Sequence, residues 1–355
     1  MISVCMIVKN EEDNLKKSLE AIKRYDFEIV VVDTGSTDNT VEVARRYTHK
    51  VYYYKWCNDF GSARNYSIEK ASNNYVLILD ADEIVQNIDI NKLLNNLDKN
   101  KVGRIERHNI YVRNGERNNY QERVNRLFDK RYYKYEGRIH EQIVSCDKHN
   151  YDTYNVPILV NHTGYENDEL VRKNKINRNI NLLLEELAIN GEDPYILFQL
   201  GKSYYMKEDY NEAIRYFEKA MDYDLDTRLE YVIDMVETYG YALINSQQYD
   251  KALNLLGIYN EFCNSSDFVF LMGLIYMNNA RFQEAVREFE KATRFKYSNM
   301  EGVNDYLAYY NIGVIYECLG KSEKALEYYK KSKKYDKSQR RIEAINRKLT
   351  QKIQK

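Results

Sequence analysis

Three short apolar runs dictate most of what the first half of this chain can become. Ile2–Val8 (ISVCMIV), Glu28–Asp33 (EIVVVD) and Tyr75–Asp80 (YVLILD) are rich in β-branched residues. Each reads as a strand buried on both faces. Between them, Glu11–Tyr25 places Leu15, Leu19 and Ile22 at helical spacing, and Ser36–Tyr47 opens with Ser, Thr and Asp, a capping signal. Lys50–Trp56 reads as another strand and Gly61–Ser72 as another helix. Single helices between strands imply βαβ crossovers and a parallel sheet covered on both sides. Ligands of such sheets lie beyond the carboxyl ends of the strands. There the sequence puts Lys9–Asn10–Glu11, Asp33–Thr34–Gly35 and Asp80–Ala81–Asp82, which are expected to converge on one edge.

From about Val102 the pattern changes. Gly103–Val112, Arg123–Asp129, Tyr132–Val144 and Pro157–Tyr165 read as strands and loops rich in Arg and His. They are expected to complete the sheet and wall the cleft. From Glu166 the chain is helical and repetitive. Gly201, Gly240, Gly273 and Gly313 are each followed three residues on by Tyr204, Leu243, Tyr276 and Tyr316. Ala213, Ala252, Ala285 and Ala325 stand twelve on, and Phe217, Leu256, Phe289 and Tyr329 sixteen on. With glycine spacings of 39, 33 and 40 residues, the segment resembles tetratricopeptide repeats of about 34 residues with insertions. The small residues let paired helices approach, and the large ones fill the gaps between hairpins. The basic tail Lys330–Lys355 reads as a last helix with a solvated capping face. Two domains follow, 1–165 and 166–355, in line with the length of 355 residues.

Lys and Arg number 53 against 54 Asp and Glu, a net charge of −1. That balance argues against a general nucleic-acid binder, which needs excess positive charge. The five cysteines are dispersed and lack a CxxC. A disulfide framework or zinc site is not indicated, and a reduced, cytoplasmic protein is expected. No stretch approaches the roughly 20 apolar residues of a membrane span.

Asp80, Asp82 and Glu83 fall within four residues at the end of an apolar strand. Close carboxylates repel, so either a solvated turn or a divalent cation must accommodate them. Hard oxygen donors suit Mg²⁺ or Mn²⁺, which bind through one or two carboxylates plus substrate phosphates. The stretches SVCMIVKNEEDNLKKSL, VVVDTGSTDNT, FGSARNYSIEKAS and VLILDADE occur in that order across residues 2–85. Together they resemble the family-2 glycosyltransferases of GT-A fold. YEGRIHEQI and NHTGY resemble a subset of that family acting on peptides, proteins or cell-surface glycans. Tetratricopeptide repeats follow such a domain in bacterial members, among them sublancin-type S-glycosyltransferases and flagellin glycosyltransferases.

The resemblance implies an α/β GT-A, Rossmann-like domain with a mainly parallel sheet, then an all-α repeat domain. It implies a UDP-sugar donor, Mn²⁺ or Mg²⁺, and inversion at the anomeric carbon. Asp33 would meet the nucleotide base, Glu11 the base or ribose, and Arg64 the base or diphosphate. Asp80 would approach the ribose or the metal shell, and Asp82 would ligate the metal. His162 is a candidate metal or diphosphate ligand. Arg123, Arg126 and Arg138 are candidates for diphosphate or acceptor. Glu141 or His140 would be the base. Neighbours on a strand face opposite sides, so both serve one pocket only if the backbone is irregular. Each site has a plainer role beside it: capping by Asp33, an ion pair for Arg64, a satisfied core imidazole for His162, core packing rather than stacking for Trp56 and Tyr111. The acceptor would be a peptide or protein Ser, Thr or Cys, and the repeats would hold either that acceptor or a second copy of the chain in a homodimer. The alternatives are a lipid-linked or cell-surface glycan, and a repeat scaffold without catalysis. A nucleotidyltransferase ranks low, because VKNEEDNL lacks the glycines of a phosphate loop.

Overall fold

The computed structural model describes residues 1–113, 116–162, 169–332 and 335–353, and their side chains apart from 111–118, 163–172 and 351–353. The chain forms two compact units, Met1–Glu186 and Leu187–Lys355. The boundary expected after residue 165 lies outside the described residues.

The first unit begins β1 (Ile2–Val8), α1 (Glu12–Ile22), β2 (Glu28–Asp33), α2 (Thr40–Arg45), β3 (Val51–Tyr53), α3 (Phe60–Glu69) and β4 (Tyr75–Ile78). It continues β5 (Glu83–Ile88), α4 (Ile90–Asn95), β6 (Lys101–Arg113), β7 (Glu116–Asp129), β8 (Tyr133–Glu136), β9 (Gln142–Ser145) and β10 (Asp152–His162), and the division between the units falls within α5 (Glu169–Asn190). Eight strands form one sheet in the order β3-β2-β1-β4-β7-β6-β10-β5, and β8 and β9 form a separate pair. β1, β2, β3 and β4 are mutually parallel. The second half is mixed: β7 is antiparallel to β4 and β6, β10 is parallel to β6, and β5 is antiparallel to β10.

Strand periodicity explains the two cores. Ile2, Val4, Met6 and Val8 of β1 point to one face, where they meet Leu15, Leu19 and Ile22 of α1. Cys5 points to the other, among Ile68 of α3, Val76 and Ile78 of β4, and Tyr133, Tyr135 and Ile143 of the small sheet. Both faces of β1 are therefore covered, as its unbroken apolar run requires.

Tyr132–Val144, read from the sequence as strand and loop, forms β8 and the start of β9 with a loop between them. Gly137 (φ 102°) and His140 (φ 50°) sit in the left-handed region, which breaks extended backbone. The loop is held from outside by the Phe60 amide, which donates to the Arg138 carbonyl at 2.8 Å.

In the second unit, helix pairs α6 (Pro194–Met206) and α7 (Tyr210–Met221), α11 (Ser266–Asn278) and α12 (Phe282–Ala292), and α13 (Tyr306–Cys318) and α14 (Ser322–Lys331) are regular hairpins. A methyl group built on Gly201, Gly273 or Gly313 would stand 2.6 Å from Phe217, Phe289 or Tyr329, the partners read from the sequence. The second repeat departs. After α8 (Glu230–Asn245) come α9 (Tyr249–Ala252), a 3₁₀ segment Leu253–Ile258 and α10 (Tyr259–Phe262). The tighter winding turns Leu255 toward Gly240 and leaves Leu256 36% exposed. α15 (Asp336–Ile353) closes the unit as the expected last helix, Ile345 packing against Ala325 and Tyr329.

Candidate active site

The parallel strands bring their ends together. Val8 pairs with Asp33 in register, and the Leu79 amide donates to the Cys5 carbonyl. The loops that follow are tied to one another: the Asn10 amide donates to Ser36 Oγ at 2.9 Å, and the Glu11 amide to Thr40 Oγ1 at 2.8 Å. The Asp33 carboxylate accepts from the Gly35 and Ser36 amides at 3.0 and 3.1 Å, which closes a turn after β2; it does not cap α2, which starts at Thr40 behind Asn39. The Glu11 carboxylate accepts from Asn14 and lies 3.5 Å from Lys175 Nζ.

Beyond β4 the chain turns sharply. The Glu83 amide donates to the Asp80 carbonyl, and the Asp80 amide donates back to Glu83 Oε2, both at 3.0 Å. Three arginines from three elements meet these acids. Arg64 of α3 bonds Asp80 Oδ1 at 2.8 Å and, through Nε, the Glu141 carboxylate. Arg126 of β7 reaches Asp80 Oδ2 at 2.7 Å and Glu83 Oε1 at 2.8 Å. Arg107 of β6 reaches Glu83 Oε1 at 3.0 Å and Glu122 Oε1 at 2.8 Å. Buried charge is tolerated only when paired in this way. Burial by itself would raise the Asp80 carboxyl, but Arg126 and Arg64 outweigh it and hold Asp80 well below the usual carboxylate range. Arg64 Nη1, Arg126 Nε and the Tyr135 hydroxyl are buried with no hydrogen-bond partner among the described residues, and the Arg64 guanidinium lies 5.5 Å from the Tyr135 ring centre. The acidic strand end thus has a third solution besides solvent and metal, an arginine cluster.

Asp82 stands apart from that cluster. Antiparallel pairing of β10 with β5 sets His162 against Glu83, and His162 Nε2 lies 3.4 Å from Asp82 Oδ2. Burial would raise the Asp82 carboxyl and lower the His162 imidazole. Their mutual hydrogen bond outweighs burial in both, lowering Asp82 and raising His162. Two donors about 2.1 Å from one Mn²⁺ or Mg²⁺ at a right angle stand ~3 Å apart, so this pair suits two positions of one coordination shell. No group of three or more His, Cys, Asp or Glu among the described residues could hold a metal. Substrate oxygens and water would have to complete the shell.

The loop Gly137–Glu141 brings Glu141 to Arg64. His140 beside it accepts from Gln142 Nε2 through its carbonyl at 2.9 Å. Arg138 of the same loop is drawn to Glu185, 3.3 Å away. Arg123 lies 3.6 Å from Glu106. Trp56 packs on Phe60, ring centres 4.7 Å apart. The Tyr111 side chain and the end of NHTGY lie outside the described residues. The sequence alone assigns Glu83 no separate role, and it does not single out Arg107, Asn109, Glu122 or Tyr135. Arg107 and Asn109 are two apart on β6, hence on one face. The Asn114–Gly115 dipeptide is a hairpin signal consistent with the register that sets Arg107 opposite Glu122.

Residues 3–152 match the model of glycosyl transferase family 2. Residues 194–226, 266–299 and 306–338 match tetratricopeptide repeat models, the three regular hairpins. The chain is 32% identical over 232 residues to the SPbeta prophage-derived glycosyltransferase SunS of Bacillus subtilis (strain 168), 62% of this chain and 53% of that protein. It therefore spans about half the length of that relative. It is also 35% identical over 82 residues to an uncharacterized glycosyltransferase of Rickettsia typhi, 23% of this chain and 28% of that one. Among solved structures, MamA from Desulfovibrio magneticus RS-1 matches with a TM-score of 0.39 and 19% identity, over 48% of this chain and 90% of that one.

Proposed function

We propose that this chain, a family-2 glycosyltransferase domain followed by tetratricopeptide repeats, is a metal-dependent inverting glycosyltransferase. It moves a hexose or N-acetylhexosamine from a UDP-sugar to a Ser, Thr or Cys side chain of a peptide or protein. The observation that carries the reading is the Asp82–His162 pair, from the β4–β5 turn and the end of β10, beside arginines already fixed in place. Asp82 and His162 would hold Mn²⁺ or Mg²⁺. That ion, when bound, supplies Lewis-acid stabilisation to the departing diphosphate.

The protein's own groups do the rest. Arg64 and Arg126 are locked by Asp80, so their charge is oriented before substrate arrives, and such preorganisation costs no rearrangement during reaction. Asp33 and Glu11, at the ends of the neighbouring strands, take the nucleoside end, and Arg138 the acceptor side. The acceptor oxygen or sulfur forms a bond to the anomeric carbon as the bond to the diphosphate oxygen breaks, and UDP leaves with the electron pair. Glu141, or His140 on the same loop, takes the acceptor's proton. The left-handed backbone at His140 removes the strict strand alternation that would have set the two apart. The repeats offer an extended surface suited to a peptide. Five free thiols support a cytoplasmic site. Among the described residues no helix is long and apolar enough to cross a membrane.

The test is incubation with UDP-hexoses and UDP-N-acetylhexosamines, Mn²⁺, and peptides carrying Cys or Ser/Thr, read by intact mass and UDP release. A one-sugar gain with matching UDP is expected. Glu141→Gln should lower turnover by roughly 10²–10⁴-fold if it is the base. Absence of both products across all donors and acceptors would contradict the reading.

A further inference from the structure

The Asp82–His162 pair works as a metal site only if His162 turns an unprotonated nitrogen toward Asp82. The neighbouring β-hairpin contains a device that sets this. Asn109 of β6 stands beside His162 in the β6–β10 register, and its Oδ1 lies 2.8 Å from His162 Nδ1. Asn109 Nδ2 faces Glu122 Oε1 of β7. Glu122 Oε1 also receives Arg107 Nη2 and Nε, at 2.8 and 3.1 Å.

The direction of each hydrogen bond follows from what each group can do. The Glu122 carboxylate, held between Arg107 and Asn109, only accepts. The Asn109 group turned to it must therefore be the amide NH₂. The amide oxygen then faces His162, and it too only accepts. Nδ1 must carry a hydrogen, because two lone pairs 2.8 Å apart would repel. Asp82 Oδ2 is a second acceptor, 3.4 Å from Nε2, and takes a hydrogen from it while the ring is protonated. The Nδ1 contact to Asn109 is the shorter one at 2.8 Å, so in the neutral imidazole the hydrogen stays on Nδ1, and Nε2, the nitrogen aimed at Asp82, is the one without it.

We propose that Asn109 and Glu122 are positioning residues which set the His162 tautomer and so present Nε2 for metal binding. This rests on the metal-dependent reading above. Metal-bound histidines are generally held through the far nitrogen, and loss of such a partner typically costs roughly 10–100-fold in affinity.

Two measurements test it. The first is a long-range ¹H–¹⁵N correlation spectrum of His162 in the metal-free native chain, with the imidazole neutral. A hydrogen on Nδ1 is expected, and a hydrogen on Nε2 would overturn the proposal. It needs neither metal nor substrate, so it stands even if the glycosyltransferase reading fails. The second is Mn²⁺ binding to the native chain and to Asn109→Leu, each checked for native circular dichroism. A roughly 10–100-fold loss is expected, with Asn109→Asp, which keeps an acceptor facing Nδ1, closer to native. Equal Mn²⁺ affinity in native and folded Asn109→Leu would overturn the positioning role. Failure of the native chain to bind Mn²⁺ would instead sink the metal reading and leave the tautomer result to decide. If Asn109→Leu does not fold, the native spectrum decides.

Discussion

Glu83 has no exposed side-chain surface, yet it accepts from Arg126, Arg107 and the Asp80 amide. Its removal takes one carboxylate from each of two guanidinium groups, leaving Arg126 on Asp80 and Arg107 on Glu122. Breaking a buried pair of this kind costs about 3–5 kcal/mol, so Glu83→Ala should lower the urea-unfolding free energy of the first unit by that much. Trp56 is the single tryptophan and lies in that unit, so its fluorescence reports the transition. A stability within about 0.5 kcal/mol of native, the usual range for surface changes, would mean that the arginines are satisfied without Glu83. At the same scale, the family resemblance puts Asp80 near ribose or metal. Its two oxygens are committed to Arg64 and Arg126, which suits a residue that orients the arginines. The identity of the acids is legible in the sequence. Their partners are not, because Arg64, Arg107 and Arg126 come from three elements that only the folded sheet brings together.

Among elements, β1, β2 and β4 are readable as strands because each is apolar on both faces, and the helix between β1 and β2 because Leu15, Leu19 and Ile22 share a face. The glycine–aromatic pairs of the repeats are readable for the same reason, since both positions lie on regular helices. The pattern fails at Leu256, where a 3₁₀ segment changes the winding. Within Tyr132–Val144 the loop between β8 and β9 is fixed by an outside contact, from the Phe60 amide. That contact yields a prediction. A methyl group on Gly61 would stand 2.6 Å from the Gly137 carbonyl oxygen, so backbone must move to admit one. Gly61→Val should push the Gly137–Glu141 loop from α3 and separate Glu141 from Arg64. Turnover should fall by roughly 10²-fold, the cost of a misplacement of about 1 Å, while UDP affinity stays near native. Unchanged turnover would show that the loop position does not matter to the chemistry.

Over the whole molecule the two units should answer pH with opposite sign. Asp80 is held low, so its contribution is present above the ordinary carboxylate range, about 3.9, and is lost as pH falls below it. Glu237 of α8 is the reverse. Burial and the nearby Asp267 carboxylate push it up to about 8, so the native state keeps a proton that the unfolded chain releases near about 4.3. Its contribution is complete below about 4.3 and is lost as pH rises toward about 8. Each pH unit of that window is worth about 1.4 kcal/mol, so the second unit should lose several kcal/mol across it, read by far-ultraviolet circular dichroism. Glu237→Gln should flatten the loss, and an equal slope in the variant would assign it elsewhere. Transferase activity turns on the donor site, and calorimetry of UDP binding tests that site most directly. The titrations use native chain and Asp82→Ala, each with Mn²⁺ and with excess chelator. Binding that requires Mn²⁺ in the native chain and falls at least ~100-fold in the variant, about 2.7 kcal/mol, is the predicted result. No UDP binding to the native chain, or binding indifferent to Mn²⁺ and to Asp82, would contradict it.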